Sequence, residues 1–224
     1  MSPPAQEVSF SRLLLVVTGS IGAAYLPAWL IWLSRKHPEL ELRVVLTRSA
    51  ERFVTRTTVH ASSGAPVEPD TWDDEDTAEA RHVRWAQWAD AVMVYPASMH
   101  YLARLAGGLA DTPSLLAAHC TRAPVLVAPG LPPGAVEGPV YAQHVRALQA
   151  RGNVDVIAPI MGVSVTTGQQ DVAASAWFPK AVGRLEEMYL AQRGEQVGDD
   201  APGAGAEAAR EPIADTPAAS ESPA

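Results

Sequence analysis

Three short stretches and one histidine carry the side chains best suited to chemistry in this 224-residue chain. Gly19-Ser20-Ile21-Gly22, Thr47-Arg48-Ser49 and Pro96-Ala97-Ser98 each place small residues and hydroxyls directly after an apolar run. Unpaired N–H groups at helix starts, with hydroxyls beside them, make an anion site, and phosphate is the natural guest. Taken singly, each Ser or Thr reads as a helix cap. Together on one sheet edge they point to the phosphate of a cofactor. Gly19-x-x-Gly22 is neither a full G-x-G-x-x-G nor a Walker A motif, lacking the third glycine of one and the lysine of the other. His82 begins a segment in which His82, Trp85 and Ala89 share one helical face. An imidazole in a half-apolar pocket can serve as a base near neutral pH, although a lone histidine at a helix start is also a common structural residue. His60, His119 and His144 show no ligand spacing, so no metal site is expected.

The elements that must position these groups alternate strand and helix. Leu13–Thr18, Leu42–Leu46, Ala91–Tyr95, Pro124–Ala128 and Val154–Ile157 are apolar runs of buried-strand length. A helix is expected from the Gly19 turn to about Ser34. A further element opens at Thr47 with Ala50, Phe53 and Val54 inward, and other helices cover His82–Ala89, His100–Leu109, Ser114–Cys120, Tyr141–Ala150 and Ala173–Gln192. Pro96 is expected to break its strand and Ser98 to cap the next helix, and Thr112 and Pro113 to open another. The pattern predicts a single α/β domain over residues 11–192, a doubly wound parallel sheet with helices on both faces. Ligands of such sheets sit at the carboxyl ends of the strands, where all three small-residue turns fall. Residues 1–10 read as a loose leader and 60–78 as a solvated polar loop containing Asp70, Asp73, Asp74, Glu75 and Asp76. Residues 158–172 read as a long lid or binding loop. Residues 193–224, rich in Gly, Ala, Pro, Glu and Ser, read as a disordered tail.

Composition narrows the function classes. With 47% hydrophobic residues the chain can bury one sizeable core. A net charge of −8 argues against nucleic acid or an anionic membrane as principal partner. Cys120 is the single cysteine, which excludes an internal disulfide and fits a reducing, cytoplasmic setting; it is expected to be a small buried thiol. The apolar span Ala23–Leu33 ends at Arg35-Lys36-His37, well short of a membrane crossing.

Taken in order, VTGSIGAAY (17–25), LTRSAERFV (46–54), SSGAPV (62–67), HVRWAQWAD (82–90), PASMHYLARLAGGLAD (96–111) and PVLVAPG (124–130) resemble the homo-oligomeric flavin-containing cysteine decarboxylases. That family includes the phosphopantothenoylcysteine decarboxylases and the lantibiotic-type peptidyl-cysteine decarboxylases. The resemblance covers roughly residues 13–160. It implies a Rossmann-like or flavodoxin-like subunit assembled as trimers or dodecamers, with flavin at subunit interfaces, FMN in preference to FAD. Gly19, Ser20, Ile21, Thr47, Ser49 and Ser98 would hold the phosphate and ribityl chain, and Pro96, Ala97, Met99 and His100 would lie close to the isoalloxazine. His82 falls on the family's catalytic histidine, which acts in a neighbouring subunit's site. The implied reaction is oxidation of a precursor peptide's C-terminal cysteine to a thioaldehyde, followed by loss of CO₂ to leave an ene-thiol.

Departures from the family pattern shape the expectation. The turn that usually reads P-A-S-A-N-T is here Pro96-Ala97-Ser98-Met99-His100-Tyr101, which would put His100 and Tyr101 near the flavin. Where P-x-M-N-x-x-M-W is usual, Leu131 and Pro132 stand for the Met and the site Asn, and no Trp follows. Residues 158–172 contain no cysteine, unlike the flap of the phosphopantothenoylcysteine branch, which favours a peptidyl-cysteine substrate. The alternatives are coenzyme A biosynthesis and a non-catalytic flavin-binding regulator.

Overall fold

The computed structural model describes residues 8–72, 80–165 and 167–199, with side chains as far as residue 194. Six strands build one all-parallel sheet: β1 (Arg12–Val17), β2 (Glu41–Leu46), β3 (Val67–Pro69), β4 (Ala91–Ala97), β5 (Val125–Pro129) and β6 (Val154–Val156). Their order is β3-β2-β1-β4-β5-β6, so the winding reverses between β1 and β4. Successive residues of a strand point to opposite faces, and both faces are apolar. From β1, Leu13, Leu15 and Val17 enter one core with Leu26, Leu30 and Leu33 of α1 (Leu26–Lys36), Val59 of α2 (Arg56–Ser63) and Phe178 and Leu185 of the last helix. Leu14 and Val16 enter the other. There they meet Trp85 of α3 (Arg81–Trp88), Leu102 of α4 (Met99–Ala106), Leu115 of α5 (Pro113–Cys120) and Leu148 of α6 (Pro139–Gln149). Each fully buried leucine contributes about 1.5–3 kcal/mol, and two such layers hold the sheet rigid between them.

Several expectations are corrected. Val67–Pro69 is a sixth strand inside the segment read as a polar loop, paired to Val44–Leu46. Asp70, at its end, is buried rather than solvated; Asp73, Asp74, Glu75 and Asp76 lie outside the described residues. β4 continues through Pro96 to Ala97, with a register shift between Val94 and Ala97. Phe53 is exposed, while Ala50 and Val54 are buried. Within the long binding loop, β7 (Ile160–Val163) and β8 (Gln170–Ala174) form an antiparallel hairpin, so the closing helix α7 (Phe178–Asp199) begins later than Ala173 and runs past Gln192. The leader is docked at its end: Phe10 is buried and the Ser9 N–H donates to buried Glu186 at 2.9 Å. Residues 200–224, most of the expected tail, lie outside the described residues. Cys120 is exposed at the last turn of α5, not buried.

Asp70 explains why a carboxylate is worth burying at the end of β3. Its Oδ1 accepts the Ser114 N–H at 2.8 Å and its Oδ2 the Ser114 hydroxyl at 2.8 Å, which caps the first turn of α5 from a distant part of the chain. Thr112, at the N-cap, makes no capping bond of its own. Tyr101 Oη lies 2.9 Å from Ser114 Oγ; the serine hydroxyl already donates to Asp70, so the phenol donates to the serine. Tyr101 is therefore enclosed between helices rather than facing a ligand. Burial raises the Asp70 carboxyl above its ordinary value, opposed by the Ser114 bonds.

Ser114→Ala is expected to leave Asp70 and Tyr101 short of partners and to cost about 1–3 kcal/mol in urea unfolding. Because the raised carboxyl binds its proton more tightly in the fold than in the unfolded chain, stability falls as pH rises from the ordinary carboxylate range through the raised value. Asp70→Asn should remove that part of the pH slope, measured as unfolding midpoint against pH.

Candidate functional site

The carboxyl edge of the sheet is drawn together at the reversal between β1 and β4. Thr18, fully buried just beyond β1, donates its hydroxyl to the Pro96 carbonyl at 2.7 Å and accepts the Ser98 N–H at 2.7 Å. Its N–H also reaches the Pro96 carbonyl at 3.3 Å. The Gly130 N–H donates to the Ala97 carbonyl at 2.9 Å, joining the end of β5, and the Thr47 N–H donates to the Val17 carbonyl at 3.0 Å, joining the end of β2. Four strand ends thus form one rim.

Two glycines let the rim close. A Cβ on Gly19 would stand 2.4 Å from Ser49 Cβ, so only glycine allows the first and second turns to touch. A Cβ on Gly130 would stand 2.7 Å from both Ser20 Oγ and Ser175 Oγ and 3.3 Å from Pro96 Cβ. Ser20, Ser175, Pro96 and Gly130 therefore surround one small space. The hydroxyls divide by use. Ser98 Oγ accepts the Tyr101 N–H at 3.3 Å and Thr47 Oγ1 the Ala50 N–H at 3.2 Å, both as caps. Ser20 and Ser49 precede helical turns yet make no side-chain capping bond. Ser175 Oγ is buried with no partner among the described residues.

Ser175 owes its place to long-range bonds. The Tyr95 hydroxyl donates to the Ala176 carbonyl at 3.0 Å, and the Leu131 N–H donates to the Ala173 carbonyl at 2.8 Å. Burial pushes the Tyr95 phenol up to about 12, so it keeps its proton throughout the physiological range. Gly134 N–H donates to Asp171 Oδ2 at 2.8 Å, tying the loop after β5 to the hairpin.

The remaining sequence candidates are spread around this rim. Ala97 is buried, Met99 packs half-buried against the second core, and Ile21 and His100 are exposed. His82 lies in the first turn of α3, which the β3–α3–β4 crossover brings to the same edge of the sheet. Its ring contact is with Trp72, not with the crevice, and its Nδ1 is buried without a partner among the described residues. Thr18, Gly130 and Ser175 were not singled out by sequence; only the Pro129-Gly130 loop carried a signal. Among the described residues no cluster of His, Cys, Asp and Glu is arranged to hold a metal ion, and no helix is long and apolar enough to cross a membrane.

The Flavoprotein family matches residues 1–178, four-fifths of the chain and every strand of the sheet. The chain belongs to the Flavoprotein family. Within that family, the cypemycin cysteine dehydrogenase (decarboxylating) of a Streptomyces species is 33% identical over 153 residues, 68% of this chain and 79% of that protein. The coenzyme A biosynthesis bifunctional protein CoaBC of Haemophilus influenzae is 38% identical over 158 residues, 70% of this chain but only 38% of the longer relative. The crystal structure of the cypemycin decarboxylase CypD superposes with a TM-score of 0.71 at 28% identity, covering 84% of this chain and 99% of that one. The FMN-dependent cysteine decarboxylase SpaF gives 0.68 at 25% identity, covering 83% and 98%.

The crevice of this Flavoprotein member fits a flavin nucleotide. Two uncommitted hydroxyls at helical starts suit a phosphate, and the orphaned Ser175 hydroxyl is a buried donor and acceptor that needs a partner. Gly19→Ala is expected to force the first two turns apart. Overpacking of this kind costs about 1–3 kcal/mol, so FMN affinity should fall about tenfold or more while the fold persists, read by flavin fluorescence titration and circular dichroism.

Proposed function

We propose that this chain catalyses the flavin-dependent oxidative decarboxylation of the C-terminal cysteine of a ribosomal, lantibiotic-type precursor peptide, leaving an ene-thiol for aminovinyl-cysteine formation. The observation that carries this reading is the 33% identity to a cysteine dehydrogenase (decarboxylating) across 79% of its length, supported by the superposition of the whole fold on the cypemycin decarboxylase CypD. FMN is the cofactor named for SpaF, and it is the flavin assigned here, with FAD as the alternative.

Gly19, Ser20, Ile21, Thr47, Ser49 and Ser98 would hold the phosphate and ribityl chain, Pro96, Ala97, Met99 and His100 would lie near the ring, and Ser175 would offer the cofactor its hydroxyl, which has no partner among the described residues. Bound flavin would supply the two-electron acceptor for the hydride lost from the cysteine CH₂ carbon. His82, from an adjoining protomer, takes the thiol proton. In the resulting thioaldehyde the bond to the carboxylate breaks, CO₂ leaves, and its electron pair moves into the thiocarbonyl to give an ene-thiolate, which a proton converts to the ene-thiol. The site Asn of the family pattern is Pro132 here, which has no side-chain donor, and backbone N–H groups or His100 are the candidates to receive the substrate carboxylate in its place.

Self-association into trimers or dodecamers is part of this proposal. Ile21, Tyr25, Met161, Val163 and Trp177 are large apolar side chains left exposed at the first turn, the hairpin and its exit, and such surfaces are commonly covered by partners. A cytoplasmic setting agrees with the free thiol of Cys120. One observation favours a second reading, decarboxylation of phosphopantothenoylcysteine: the 38% identity to CoaBC, over a part of that protein.

His82→Asn is expected to retain FMN and lose decarboxylation by about 10²–10⁴-fold, the range for a removed acid–base group. Mass spectrometry of a cysteine-terminated peptide should show loss of CO₂ and two hydrogens with the parent protein and unchanged peptide with the variant. Loss of CO₂ alone from phosphopantothenoylcysteine, with the peptide untouched, would establish the second reading instead.

A further inference from the structure

Among the described residues, none supplies His82 Nδ1 with the usual means of fixing an imidazole. Functional histidines are generally oriented by a carboxylate or carbonyl that takes one ring N–H. Here Nδ1 is sealed from solvent without a partner among the described residues, and the ring contact of His82 is aromatic. The Trp72 and His82 centroids are 5.6 Å apart at 72°, an edge-to-face arrangement.

Trp72 is itself unusually well fixed for a side chain that is 45% exposed. Its indole N–H donates to the Asp111 carbonyl at 2.8 Å, and Arg104 Nε holds the Asp111 carboxylate at 3.0 Å. Two residues earlier, buried Asp70 is anchored to the start of α5 by both Ser114 bonds. Between them, Arg81, the residue before His82, donates its Nη1 to the Thr71 carbonyl at 3.4 Å. The segment Asp70-Thr71-Trp72 is therefore a short strap, tied to α5, to α3 and to the α4–α5 turn, that lays an indole against the imidazole.

We propose that Trp72 is the positioning residue for His82, replacing the hydrogen-bonded carboxylate or carbonyl by an edge-to-face aromatic contact. This rests on the assignment of His82 as the proton-accepting residue. An indole excludes water from one side of the imidazole and limits its rotation without taking up a ring nitrogen as a hydrogen-bonded partner would. Trp72 touches the imidazole and acts through it.

The test uses the FMN-loaded full-length protein with histidine selectively ¹³C-labelled at Cε1; the His82 signal is the one of six lost in His82→Asn. Trp72→Leu is expected to shift and broaden the His82 signal, to lower kcat about tenfold, and to leave KM for the peptide and the bound FMN unchanged, in line with the size of an aromatic pair. Trp72→Phe, which keeps an aromatic ring, should restore most of kcat and the sharp signal. Trp72→Leu with an unmoved His82 signal and normal kcat overturns the proposal. So does a loss of activity that follows loss of FMN or of thermal stability and is not rescued by Phe, since that is the signature of a merely structural tryptophan. If His82→Asn itself retains full activity, the role of His82 falls; if it is inactive and only the Trp72 results fail, the positioning role falls alone.

Discussion

The site depends on a single buried oxygen. Pro96 brings no N–H to the end of β4, and the ladder with β5 slips between Val94 and Ala97. Thr18 Oγ1 supplies what the backbone lacks, donating to the Pro96 carbonyl and accepting the Ser98 N–H. Because β1 and β4 are neighbours where the winding reverses, this bond ties together the two strand ends that border the switch point. A methyl in place of the hydroxyl would leave the Pro96 carbonyl with only the longer bond from the Thr18 N–H and would take from the Ser98 N–H its Thr18 acceptor. The close approaches at Gly19 and Gly130 add to this tie: they bring the second and fifth strand ends, and the hairpin serine, up to a rim that Thr18 already holds.

A second polar network works on the other core face. Asp70, Ser114 and Tyr101 are all buried and linked in one chain of hydrogen bonds, joining the end of β3 to α5 and α4. Next to it, the Thr71 carbonyl accepts from Arg81, the residue before His82 in α3. The crevice and the histidine are thus set by separate networks on one rigid frame. Such an arrangement suits a reaction chamber completed between protomers, where each protomer presents a crevice at one place and a histidine at another. The exposed apolar residues of the first turn and hairpin lie where a covering partner would be expected.

Much of this was legible in the chain. The runs LLLVVT, LRVVL, AVMVY and PVLVA are β-branched and apolar enough that only a sheet buried on both faces accommodates them, and their alternation with helical spacing specified the parallel winding. The three turns were legible as small residues and hydroxyls directly after apolar runs, and the family pattern then assigned them to a flavin. Val67–Pro69 was not legible: three residues with a proline before and at the end look like loop, and its pairing with β2 is a tertiary fact. Asp70 looked like one of several solvated acids because nothing near it in sequence announces Ser114, 44 residues away. Ser175 sits in an Ala-Ala-Ser-Ala run with no periodicity of its own. Its place in the crevice comes from Tyr95, 81 residues from the Ala176 carbonyl it holds. Local chemistry is written in local sequence, whereas long-range satisfaction of buried polar groups is not.

The central claim is that the crevice of one protomer and His82 of another form a single flavin site. The most direct measurement is an experimental structure of the FMN-loaded protein in its assembled state. The expected result is a flavin phosphate against Ser20 and Ser49, Ser175 within hydrogen-bonding reach of the cofactor, and a neighbouring protomer's His82 beside the isoalloxazine. An assembly in which His82 of every protomer lies remote from every bound flavin would contradict it.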